Sequence, residues 1–152
     1  AFIFLAVIIV ALVAFAAGVV LFGIEPLSSI SATPLSPAET AIRTILAILY
    51  IGWSMLGLGS IALFASTRTD SPLAASLATL AAFVASQVLD LIEATHSIQA
   101  YLPTHYWLRF VDFYRDPILW RDVNEGIVLQ LVYVIVFLGA AWANFTTKDI
   151  TS

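Results

Sequence analysis

The chain has 152 residues, of which 61% are hydrophobic and 11% charged, against roughly 25% charged in soluble domains. With a mean hydropathy of +1.00 this excludes an ordinary water-soluble domain and makes the bilayer the expected solvent. A net charge of −4 leaves no basic surface for nucleic acid or anionic headgroups, and zero cysteines exclude disulfides and thiolate chemistry.

Uncharged stretches recur along the chain, each about the 20 residues that a helix needs to cross the hydrocarbon core. They predict four spans, at about 1–24, 38–66, 72–95 and 123–146, in one transmembrane domain covering 1–152. The first is too long for a signal-peptide core and lacks a basic start. It opens on Ala1 inside an apolar run, and the only methionine is Met55. The sequence therefore reads as the C-terminal part of a longer protein.

After the first span, IEPLSSISATPLSPAET is rich in proline and serine, as suits a short ordered loop. It ends in a capping box, with Ser36 at the cap, Pro37 in the first turn and Glu39 three residues on. Ser71-Pro72 repeats the cap-plus-proline pattern after the short break ASTRTDSP, so spans two and three form a tight helical hairpin. Gly52, Gly57 and Gly59 in span two, and Ala74, Ala78, Ala82 and Ser86 in span three, are small residues that let transmembrane backbones approach.

Nine of the sixteen charged residues fall between 90 and 125, so that stretch differs in kind from the spans. Within it Trp107, Phe110, Val111, Tyr114 and Ile118 follow helical spacing, with Arg109, Asp112, Arg115 and Asp116 on another face. This predicts an amphipathic interfacial or re-entrant helix over about 105–120, anchored by Trp107, Tyr114 and Trp120. Asp122 and Glu125 are expected to cap the last span and acidify its first turn. The fold class is thus all-α integral membrane, with four transmembrane helices and one interfacial helix before the last.

Chemistry is sparse. Lys148 is the only lysine and no glycine-rich phosphate loop surrounds it; His96 and His105 are the only histidines, and no serine motif accompanies them. Asp90-x-x-Glu93-x-x-His96 would line one helical face, and Glu-x-x-His supplies ligands in di-iron bundles, but those sites need a second copy on another helix. The other reading of ionisable residues at a span end is a translocation path or gate. Asp90 and Glu93 are its candidates, with Arg109 or Arg115 as partners.

Arg43 ahead of AIRTILAILYIGWSMLGLGSIALFAST, the turn STRTDSPLAA, the stretch YLPTHYWLRFVDFYRDP and the ending WANFTTKDITS, with Phe145, Lys148 and Asp149, come in a telling order. That order resembles the C-terminal part of an ABC-2 type transporter permease, over essentially the whole chain. The resemblance implies that these are the last four of six spans, the missing pair lying before Ala1. It implies alternating access powered by a separate ABC ATPase subunit, with ATP and magnesium bound there and no cofactor in this chain. A second permease copy or half would complete the pathway, in the plasma membrane, with Arg68 and the C-terminus cytoplasmic. Counting arginines alone, Arg43, Arg109, Arg115 and Arg121 against Arg68 and Lys148, points to the opposite orientation. Two other classes fit the residues: a small accessory subunit of a membrane complex, and a membrane-embedded metalloenzyme using Glu93 and His96.

Overall fold

The computed structural model describes residues 2–23 and 28–148, except the side chains of Phe22 and Lys148. The chain is all-helical: α1 (Phe2–Phe22), α2 (Pro37–Arg68), α3 (Pro72–Leu91), a 3-10 turn Glu93–Thr95, the short α4 (His96–Gln99), a 3-10 helix Trp107–Tyr114 and α5 (Trp120–Lys148). Four of these helices are long and apolar enough to cross a membrane, as a multi-pass membrane protein requires.

Several helix ends have an identifiable local cause. The Ser36 hydroxyl accepts from the Glu39 N–H at 3.2 Å while Glu39 Oε2 accepts from the Ser36 N–H at 2.9 Å, so the capping box forms as read. Ser71 caps α3 through the Ala74 N–H at 3.3 Å, with Pro72 in the first turn. Gly23, at φ +75°, ends α1 by turning its N–H back to the Val19 carbonyl at 3.0 Å, a left-handed stop that favours glycine. α3 ends at Leu91 rather than 95 because Ile92 is extended. The carbonyls of Leu89, Asp90 and Ile92 accept from the side chains of Thr95 and Gln99, which satisfies part of the end of α3 where the α-helix stops.

α2 is the organising element, packing against α5, α3, α1 and the 3-10 helix. At 32 residues it is about 48 Å long, more than the hydrocarbon thickness of about 30 Å, so its N-terminal turns extend into the segment that joins α3 to α5. All three of its glycines receive side chains. The Phe4 ring lies 2.6 Å from where a Gly52 Cβ would stand, Ile3 Cδ1 lies 2.5 Å from the Gly59 position, and Gln130 Oε1 fills the Gly57 position. The close approach expected of span two is therefore made. The alanine stripe of α3 behaves differently: Ala75 and Ser86 are buried, whereas Ala74, Ala78 and Ala82 line an open groove between α2, α3 and α5.

The largest departure concerns the amphipathic helix expected over 105–120. A 3-10 helix of eight residues stands there instead, starting at Trp107 and ending at Tyr114. It packs on α2 and α5, burying Asp112 and Phe113. Its core partners are Tyr50, Ala47 and Val123. The last helix starts at Trp120, so Asp122 sits inside the first turn rather than capping it.

Candidate functional site

The segment between α3 and α5, with the loop 28–36, forms a cap over one end of the helices. Its order comes from charge pairing. A 3-10 helix has three residues per turn and eclipses positions i and i+3, so Arg109, Asp112 and Arg115 fall on one ridge. Arg115 Nε donates to Asp112 Oδ1 at 2.7 Å; Arg109 faces Asp112 Oδ2 at 3.8 Å and pairs with Asp122 of α5 at 3.1 Å. The Asp112 side chain is only 4% exposed, and Oδ2 accepts no hydrogen bond. A buried carboxylate is tolerable only when cations flank it, which the two arginines do. The charged face read from the sequence is therefore partly turned inward at Asp112.

Arg43 reaches into the same cap from α2. Its Nη1 donates to the carbonyls of Phe113 at 3.2 Å and Arg115 at 2.7 Å, and Nη2 lies 3.8 Å from Asp116. The loop 28–36 closes the other side: the Ile30 N–H donates to the Tyr114 carbonyl at 2.9 Å, the Asp116 N–H to Ser31 Oγ at 3.1 Å, and Thr33 Oγ1 to Asp116 Oδ2 at 3.2 Å. Three arginines thus meet three aspartates, and the cluster is electrically balanced.

Beside it, residues 101–106 are held by side chains from all three surrounding helices. Tyr133 donates to the Tyr101 carbonyl at 2.8 Å, Gln130 to Pro103 at 2.6 Å and Tyr50 to Tyr106 at 2.8 Å. The hydroxyls of Ser86 and Thr104 meet at 2.7 Å, and His105 Nδ1 meets Asp90 Oδ1 at 2.5 Å. This is how irregular backbone survives where water is scarce. The Tyr106 hydroxyl donates to Glu125 at 3.0 Å; burial first, and that carboxylate second, hold its pKa above the usual tyrosine value.

The predicted site residues part company. Asp90 pairs with His105, not with Arg109 or Arg115, and those arginines serve Asp112 and Asp122. Glu93 is exposed, and its side chain forms no hydrogen bond or ion pair among the described residues. The break at Ile92 takes Asp90, Glu93 and His96 off a common helical face, and His96 turns to Gln99 at 3.2 Å. Of the expected anchors, Trp107 stacks on Phe83 at 5.5 Å and the Tyr114 hydroxyl meets Thr44 at 2.9 Å; only Trp120 is half exposed. Phe145 is exposed on α5, while Asp149 and the Lys148 side chain lie outside the described residues.

Sequence reasoning missed His105 as the partner of Asp90 and Gln130 as the strut between α5 and the loop. Gln130 carried a readable signal, an amide in the otherwise apolar run GIVLQLVYV. Below the loop, the apolar groove between α2, α3 and α5 has a volume of about 690 Å³, roofed by Leu102 and Pro103 and walled by Phe64 and Phe137. Its lining offers apolar contact rather than acid–base chemistry.

Fold and site together define an all-helical chain with four helices of membrane-spanning length and a folded, ion-paired cap before the last. No family model, no curated protein and no solved structure matches it.

Proposed function

We propose that this chain is the membrane-embedded permease portion of an ATP-driven, ABC-type exporter. Substrate would move by alternating access, powered by an ABC ATPase subunit that carries ATP and magnesium. The reading is supported first by the cap. A chain that only fills space in a complex has no need of an ordered segment of about thirty residues braced by α2, α3 and α5 through separate charged contacts. The apolar groove beneath it gives a second support. A second copy or half would complete the pathway, and the exposed face of α1 leaves room for it. Plasma-membrane residence with a cytoplasmic C-terminus belongs to the same proposal.

The test is purification of the intact protein from native membranes in mild detergent. An ATPase with a phosphate-binding loop should copurify, and its hydrolysis should respond to changes in the cap. Repeated isolation with no ATPase would sink the proposal.

The accessory-subunit reading has its own support in the use of buried polar groups. Ser60, Ser86 and Gln130 join elements together rather than facing a common path. Copurification with a larger membrane complex that lacks an ATPase would favour it.

A further inference from the structure

Between Leu91 and Leu108 the usual arrangement of a water-facing connection is inverted. Thr95 and Gln99 turn their polar atoms onto the carbonyls that end α3, Thr104 onto Ser86 and His105 onto Asp90. Four large apolar side chains face out: Leu91 is 84% exposed, Ile98 44%, Tyr101 70% and Leu108 75%, while Leu102, Tyr106 and Trp107 turn inward. In water these side chains would leave apolar surface unburied, while the hydroxyl, amide and imidazole groups of Thr95, Gln99, Thr104 and His105 are spent on the protein itself. Such a surface suits an apolar solvent.

The neighbouring helix says which one. On α3 the exposed residues Leu77, Leu80, Val84, Val88 and Leu91 step by three and four along one face. This stripe, which would meet acyl chains in a multi-pass protein, therefore runs into the segment without a polar break. We infer that Leu91–Leu108 is a shoulder seated in the bilayer, with lipid as its partner at the boundary between acyl chains and headgroups. Exposed Glu93, His96 and Ser97 mark headgroup level, where ionisable groups reach water. Elsewhere in the cap Arg121, whose side chain is 88% exposed, is the residue suited to water. The shoulder begins N-terminal to the stretch that the sequence marked as interfacial and overlaps its first residues.

Single spin labels test this. The intact protein, with any cysteine outside this chain changed to serine, would carry Ile98→Cys or Leu108→Cys. Leu77→Cys would serve as the lipid reference and Arg121→Cys as the water reference. After nitroxide labelling and reconstitution in phosphatidylcholine vesicles, collision rates with oxygen and with a water-soluble nickel chelate are compared. Labels at 98 and 108 should give the oxygen-to-nickel ratio of the label at 77, well above that at 121. A ratio matching position 121 overturns the proposal, and so does shielding from both reagents, which would mean a protein partner covers the shoulder. A nickel-dominated label at 77 would overturn the membrane-spanning reading of α3 and the shoulder with it.

Discussion

His105 Nδ1 lies 2.5 Å from Asp90 Oδ1, joining the last turn of α3 to a loop residue fifteen positions later. Both side chains are about one quarter exposed, so the contact is sheltered without being sealed. His105→Ala should cost about 1.5–3 kcal/mol, the range for a hydrogen bond to a charged group. It should also speed hydrogen exchange across residues 101–106. His105→Gln, which keeps a donor, should recover part of both effects. Unchanged exchange in His105→Ala would mean that the loop is held without this pair.

Gly57 and Gln130 bring α2 and α5 close together. A Cβ at position 57 would overlap Gln130 Oε1, and Gln130 is 1% exposed. Gly57→Ala should therefore destabilise by about 1–3 kcal/mol or more, as overpacking does. Gln130→Ala should destabilise on its own by stranding the Pro103 carbonyl. The double variant should be less destabilised than the sum of the singles, which thermal unfolding in detergent can measure. Strict additivity would refute the coupling.

Asp112 is served by two arginines, and this predicts redundancy. Arg109→Ala or Arg115→Ala alone leaves one guanidinium beside the buried carboxylate, and each should cost about 1 kcal/mol. Removing both strands the charge, a loss of roughly 3–5 kcal/mol. Adding Asp112→Asn to the double variant should restore much of that loss. A double variant no worse than the sum of the singles would argue that water already solvates Asp112.

Tyr106 gives a pH signature. Its neutral form is favoured in the fold, above all by burial and then by its bond to Glu125, so its pKa is raised above 10.0. The sign follows: the stabilisation is fully present below the ordinary tyrosine pKa and is lost as pH rises through the folded value. The phenolate absorbance missing in Tyr106→Phe should therefore appear later than that of an exposed tyrosine. Appearance at or below pH 10 would contradict the packing around this ring.

Much of the architecture was legible because it depends on local and compositional physics. A helix of about 20 apolar residues must satisfy its own backbone in lipid, so the number and approximate limits of the long helices follow from the sequence alone. The caps at Ser36 and Ser71 were equally readable, since a cap is made within four residues. Gly52 and Gly57 announced close approach without naming what would fill the space.

Partnership was decided only by the tertiary structure. Asp90 and Arg109 were plausible mates by charge, yet Ile92 breaks the helix and His105 reaches Asp90 first, while α5 brings Asp122 to Arg109. Nor could the turn geometry be read from the pattern around Trp107. An apolar residue every three or four positions suits an α-helix, but packing on α2 and α5 selects the tighter 3-10 form that aligns Arg109, Asp112 and Arg115. Composition and periodicity thus determined which segments are long and apolar enough to leave water. Long-range packing decided which ionisable groups meet, because an ion pair across thirteen or fifteen residues depends on where three helices end in space, and nothing local encodes that.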